Sequence, residues 1–329
     1  MNKKIIFYFL TALVVLIFKT DSSYSTPIIS DYKKNLDFWT PEKLKKAKAN
    51  PLTTRKIGFR TRSDDAKTTI TRNTTDSSKY TKSMPPLERK YDIINNKPIN
   101  VENADQNIAF PIGILFIPIG NDEAFHCTAT VIDTSNGNVG ITAAHCLFNP
   151  ETHEYYDNIV FSPGYDHEQP GPLGIIPVAQ MIVTDEFRNI NNDRFTRDRF
   201  DWGFMRFAFN LNNQALEYYT GALGWTFNIG NNVGTTIRGY PDGGNLQNCP
   251  NDGENLCMWQ GNTNLANAYY IIPGLELGGG ASAAPFIMNY DPNTNLGVIY
   301  GIYTVFYEDN NGVSPIFNPV EFRALLSEI

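Results

Sequence analysis

The 329 residues include 42% hydrophobic and only 19% charged ones, with a formal net charge of −7, which suits a β-rich core with many turns better than a helical bundle. The charge is unevenly divided: residues 26–90 hold 16 Lys/Arg against 7 Asp/Glu, whereas residues 91–329 hold 8 against 26, a balance of −18. So acidic a second part argues against nucleic acid as a partner, and no phosphate loop or metal motif is visible in the chain.

In chain order, residues 1–25 have the pattern of a signal peptide. Lys3 and Lys4 precede an uncharged apolar run over 5–18, and small residues follow at Ser23 and Ser25. The run is short for a membrane span, so the mature protein is expected to be secreted and free of membrane. Residues 26–105 are then expected to be a basic, largely irregular pro-segment or linker. Within it, residues 39–49 predict one short helix after Thr40, with Pro41 at its first position. Asn73-Thr74-Thr75 is a glycosylation acceptor, and Arg89-Lys90 is a dibasic site for cleavage after Lys90. Opposite charges on the two parts suggest that the leader docks on the acidic domain and inhibits it until cut.

From residue 106 onward the pattern becomes short apolar or alternating runs between turns. Strands are predicted at 114–119, 128–132, 139–143, 203–209, 235–240, 268–272, 285–288, 298–305 and 315–317. Asn136-Gly137 predicts a hairpin between the second and third. Residues 320–327 predict a short amphipathic helix. The fold class is therefore all-β, a barrel or sandwich over 106–329 closed by a C-terminal helix.

Four cysteines in a secreted chain imply two disulfides. Three pairings exist, and the expected one joins Cys127 to Cys146 and Cys249 to Cys257, closing two short loops. A zinc site is the rival reading, but the spacings do not form paired Cys-x-x-Cys knuckles.

Of the four histidines, His126, His153 and His167 stand in polar or turn-like surroundings and read as surface residues. His145 follows a β-run in Thr142-Ala143-Ala144-His145-Cys146. That string, with Cys127-Thr-Ala-Thr-Val-Ile-Asp before it, resembles the histidine region of the chymotrypsin-like serine proteases. The secreted glutamyl endopeptidases are the most similar branch, and the resemblance spans about 110–329. It implies a double six-stranded β-barrel and a Ser-His-Asp triad. The carboxylate it implies is Asp201, in Phe200-Asp201-Trp202-Gly203, with Asp193 and Asp198 as competitors. The implied nucleophile is Ser282, in Gly278-Gly279-Gly280-Ala281-Ser282-Ala283-Ala284-Pro285. The N–H groups of Gly280 and Ser282 would form the oxyanion hole.

Three departures from the family pattern stand out. Ala283 and Ala284 replace residues that are usually glycine or serine, and alanine is strained wherever the backbone needs positive φ. Ala281 replaces the aspartate that anchors the freed N-terminus in trypsin-like zymogens. Tyr303, in Gly301-Ile302-Tyr303, replaces the histidine by which glutamyl endopeptidases bind an acidic side chain. Glu276 lies six residues before Ser282, where trypsin-like enzymes select Lys/Arg, so Glu276, Gly301 and Tyr303 are the candidate substrate-binding residues. The strand around 301–303 is expected to pair with an extended substrate.

The function expected is a monomeric, cofactor-free, secreted endopeptidase acting on proteins or peptides. The alternative is a catalytically impaired homologue that binds proteins. An α/β-hydrolase esterase is a poor fit, since no histidine follows the serine.

Overall fold

The computed structural model describes residues 26–30, 36–49, 81–86, 91–92, 97–98, 111–120, 123–189, 191, 193–307 and 311–329. The signal-peptide span, the acceptor Asn73 and the pair Arg89-Lys90 lie outside the described residues. Six strands form the first barrel: β1 Ile112–Gly120, β2 Glu123–Val131, β3 Val139–Thr142, β4 Val160–Pro163, β5 Ile176–Val183 and β6 Gly203–Phe207. They pair antiparallel in the ring β1-β2-β3-β6-β5-β4 and back to β1, so the barrel closes on itself. The Asn136-Gly137 turn does join β2 to β3. Gly137 takes φ +64°, and Asn136 Oδ1 accepts the N–H of Asn138 at 2.9 Å.

The second barrel comprises β7 Val233–Gly239, β8 Cys257–Ala266, β9 Tyr269–Pro273, β10 Pro285–Asp291, β11 Leu296–Ile302, β12 Val305–Tyr307 and β13 Asn311–Pro315. Hydrogen-bonded neighbours run β11-β10-β7-β8-β9-β13-β12. β12 is the continuation of β11 past Tyr303 and Thr304, so the chain itself closes this ring and six staves result. The predicted single run 298–305 is thus two strands, broken where the chain passes the loop that carries Ser282.

Three of these thirteen barrel strands escaped prediction, each for a physical reason. β8, with the sequence CMWQGNTNLA, is polar along most of its length and half-exposed, so no apolar alternation marks it. β5 is apolar on both faces and contains Pro177, which obscures its period. β4 is only four residues, all buried. The last predicted strand, 315–317, lies at the end of the real one, β13.

The C-terminal helix runs Pro319–Glu328, with Asn318 as its N-cap and Pro319 in its first turn. It buries Phe322 completely among Trp202, Phe204, Trp225, Phe227 and Phe317, at centroid distances of 4.7–5.7 Å. Trp202 directly follows Asp201, so this aromatic cluster fixes the backbone from which Asp201 projects. The helix also brings Glu321 against Glu186. Burial first, then hydrogen bonding to and repulsion from Glu186, raise the Glu321 carboxyl well above the usual carboxylate range. A folded-state pKa raised above the unfolded one means that the folded chain holds the extra proton. Stability is therefore lost as pH rises from the ordinary carboxylate range through the raised value. The expected result is a Tm that falls between pH 5 and pH 9 and a flatter profile for Glu321→Gln, measured by thermal denaturation across that range.

The described parts of the basic segment 26–105 pack against the rest of the chain. The helix Pro41–Lys46 forms as predicted, with Thr40 accepting from the N–H of Lys43. Trp39, Leu44 and Ala47 are buried and belong to the same hydrophobic cluster as the side chains of the first barrel. Three apolar side chains suffice for this, too few to register as a periodic pattern.

Candidate active site

The strand β3 delivers His145. It ends at Thr142, whose hydroxyl donates to the Thr128 carbonyl at 2.9 Å, and the chain then makes a single tight turn, Ala144–Cys146. Cys146 is disulfide-bonded to Cys127 on β2, and Cys249 is bonded to Cys257. Cys127, His145 and Cys146 converge as a metal cluster would, but the two sulfurs are bonded to each other and offer no thiolate.

Three distances define the site. The Nδ1 of His145 lies 2.7 Å from Oδ2 of Asp201, its main-chain N–H donates to Oδ1 of Asp201 at 2.9 Å, and its Nε2 lies 2.9 Å from Oγ of Ser282. Asp201 is 2% exposed, and its two bonds hold both the ring and the backbone of His145. The competitors are engaged elsewhere: Asp193 caps the helix Arg194–Asp198 through the N–H of Thr196, and Asp198 accepts the hydroxyl of Tyr307 at 3.0 Å. The imidazole remains 22% exposed, whereas Ser282 exposes none of its surface. A carboxylate, an imidazole and a hydroxyl in this order can pass a proton from oxygen to nitrogen while the carboxylate stabilises the resulting cation.

The loop before the serine is braced from two sides. Asp242 and Gly279 exchange backbone hydrogen bonds at 2.8 and 3.0 Å, and Asn245 binds Glu276 through both main chain and side chain. Gly280 has φ +71°, and a Cβ there would stand 2.2 Å from Nε2 of His126 and 2.5 Å from the Tyr240 carbonyl. Only glycine fits. Among the described residues no backbone carbonyl takes the N–H of Gly280 or of Ser282.

The N–H of Ala284 donates to the Ala281 carbonyl at 2.8 Å, so Ser282 and Ala283 are the two central residues of a turn. Ala283 takes φ +71°, the position where a type II turn favours glycine. Ala284 does not share this conformation. Its methyl lies against Gly239, where an added Cβ would meet it at 2.7 Å, so a glycine on β7 makes room for it. The strain therefore rests on Ala283 alone. Left-handed alanine costs about 1–2 kcal/mol. Its fully buried methyl recovers ~0.8 kcal/mol, and the stiffer unfolded chain about 0.4–1 kcal/mol. These nearly cancel, so Ala283→Gly is expected to change stability by less than ~1 kcal/mol in urea denaturation. Ala283→Val, β-branched at the same φ, is expected to cost well over ~2 kcal/mol.

Thr128 is a positioning residue that sequence reasoning missed. Its N–H donates to the Ser282 carbonyl at 2.9 Å and its hydroxyl to the Gly280 carbonyl at 3.1 Å, while the N–H of Tyr240 donates to that hydroxyl at 3.2 Å. It ties the first barrel to the loop that carries Ser282, at Gly280 and at Ser282. The only sequence signal was its adjacency to Cys127. Thr128→Val is expected to cost about 1–3 kcal/mol of stability by stranding buried polar groups. It should also lower the rate of any hydrolysis here about tenfold, with Thr128→Ser restoring both. His126 corrects another expectation: it is no surface residue but is 4% exposed on β2, packed against Gly253 and Gly280. Its neighbours Phe125 and Cys127 are buried too, so the polar sequence Asn-Asp-Glu just before them is a poor guide to burial here.

The three candidate specificity residues are placed unequally. Tyr303 is fully buried and exchanges backbone bonds with Ala283 and Ala284. Its hydroxyl accepts the N–H of Leu277 at 3.2 Å, and burial holds the phenol well above its usual range. Glu276 is half-buried nearby. Gly301 is not brought to Ser282. It pairs with Phe286 inside the β10–β11 ladder, with Ser314 against its Cα. The strand with an edge left to offer is the next one, β12, which ends the second sheet.

Solved structures share this architecture. The chain is similar to a thermostable serine protease, AL20, from an extremophilic microorganism. That match has 20% identity and a TM-score of 0.56, and covers 67% of this chain and 97% of that one. It is similar also to the protease Anisep from Arthrobacter nicotinovorans, with 20% identity and a TM-score of 0.55, covering 68% and 97%. The fold is that of the chymotrypsin-like serine proteases. A Glu endopeptidase matches at 15% identity and a TM-score of 0.49, covering 68% and 92%, too distant to assign a branch. No family model matches the chain, and no curated protein does. These matches to the chymotrypsin-like fold cover about two thirds of this chain.

Proposed function

We propose that the chain is a secreted serine endopeptidase, made as a precursor whose basic leader is cut after Lys90. The observation that carries the reading is the single line of contacts from Asp201 through His145 to Ser282. Ser282 Oγ attacks the scissile carbonyl as His145 Nε2 takes its proton. The N–H groups of Gly280 and Ser282 receive the oxyanion. His145 then protonates the leaving amine, the C–N bond breaks, and an acyl-enzyme remains. Water, activated by the same imidazole, attacks the ester and releases Ser282. Substrates are proteins or peptides, bound along the edge of β12. The buried Tyr303, its hydroxyl already engaged, gives no support for selection of glutamate.

A fluorophosphonate probe tests the reading. Labelling that disappears in Ser282→Ala supports the hydrolase. No labelling of the processed protein would favour the second reading, an impaired homologue, which the positive φ of Ala283 and the burial of Ser282 keep in view. A peptide-library cleavage profile would then define the side-chain preference.

A further inference from the structure

The outer edge of β2 faces the candidate active site. Residues two apart on a strand turn their backbone groups to the same edge. Thr128 sends its N–H to the Ser282 carbonyl, so the backbone groups of His126 point to that side as well. β3 pairs with this edge at Thr130 and Val131, further along the strand than Phe125 and His126. His126 also lies against Gly280. The loop 280–284 is therefore flanked by two strand edges. One is β2 at 125–126, reached through Thr128, and the other is β12, reached through Tyr303, which bonds Ala283 and Ala284. An extended peptide with its scissile bond at Ser282 has these two edges to pair with.

One of them is already taken. Lys48 and Ala49 of the leader pair in parallel with Phe125 and His126. This short strand follows a well-anchored stretch. Trp39 is 6% exposed, donates its indole N–H to the Asn158 carbonyl at 2.6 Å and packs on Phe116. Leu44 and Ala47 are buried in the same core, and Ile28–Ile29 pairs with β5. The ion pair Lys45–Glu168 at 2.9 Å is exposed and adds little. Anchoring on this scale makes the Lys48–Ala49 strand a fixture of the uncut chain.

We propose that Lys48–Ala49 occupies the edge of β2 that an extended substrate uses, so that the uncut chain is held latent by strand replacement at its own cleft. The inference rests on the hydrolase reading above. It assigns the leader a defined blocking contact, where opposite charge alone predicts only a loose association. The absence of any exposed surface on Ser282 accords with a closed site.

The test uses the full chain. Lys48→Pro with Ala49→Pro removes both N–H groups of the blocking strand without touching either barrel. The expected result is at least a tenfold faster cleavage of an internally quenched peptide and faster fluorophosphonate labelling than in the parent. A synthetic peptide of residues 36–49 should bring the variant back toward the parent's rate. Trp39→Ala, which removes the anchor and leaves the pairing residues, should give the same gain. Equal, measurable rates in parent and proline variant would overturn the inference while leaving the hydrolase reading intact. No labelling in either would sink the hydrolase reading and this inference together.

Discussion

Ser282→Ala and His145→Ala are each expected to lower kcat on a peptide substrate by about 10⁴–10⁶-fold, and the double variant by no more than either alone. The reason is the serial geometry: with Nε2 of His145 at 2.9 Å from Ser282 Oγ, the two side chains act as one proton-transfer unit in the proposed hydrolysis. Removing either leaves nothing for the other to do. Asp201→Asn is expected to cost about 10⁴-fold. Asp201 accepts from Nδ1, so the imidazole keeps Nε2 free to receive the serine proton. An amide nitrogen in that place would favour the other tautomer. Asp198→Asn is the control. Its carboxylate binds the Tyr307 hydroxyl, so kcat should stay within a few-fold. Steady-state kinetics of the processed protein with active-site titration would check all four. An Asp198 effect as large as that of Asp201 would overturn the assignment.

Gly280→Ala is expected to reduce kcat by about 10²–10³-fold, the scale of losing one oxyanion donor. The added Cβ would overlap His126 Nε2 at 2.2 Å and the Tyr240 carbonyl at 2.5 Å, in a residue that also needs φ +71°. The loop has to rotate to relieve both, and rotation turns the Gly280 N–H, one of the two donors proposed for the oxyanion, out of its present direction. The hydroxyl–imidazole contact lies outside this clash, so fluorophosphonate labelling should persist, more slowly, while kcat falls far more than KM changes. Gly279 is the comparison. It exchanges backbone hydrogen bonds with Asp242 and has no positive φ, so alanine there should be milder. Equal losses at both positions would argue against a special role for Gly280.

Much of this was legible in the residues. The string around His145 carries its own context: an apolar run that becomes β3, followed at once by a cysteine that pins it to β2. The short helix at Pro41–Lys46 was marked by Thr40 and Pro41 and the C-terminal helix by its amphipathic pattern, and both signals are local. Polar β8 and doubly buried β5 were hidden, because their hydrophobic pattern follows from which faces the barrel covers and not from the strands themselves.

The sequence by itself determined the parts of the site: a histidine, an aspartate and a serine in an order matched to one kind of chemistry, and two cysteine pairs at short separation. The resemblance carried by the strings around the three residues implied the first, and redox context with short cysteine spacing the second. Which aspartate meets the imidazole, where the strain of Ala283-Ala284 falls and what holds the glycine loop were decided only by tertiary structure. Asp193, Asp198 and Asp201 differ by a few residues in sequence but project to a helix cap, a tyrosine and His145 respectively. Gly239 accommodates Ala284 from 45 residues away, and Thr128 reaches Ser282 across more than 150. Such contacts join segments from both barrels, and their energies depend on distances of a few tenths of an ångström that no local pattern encodes.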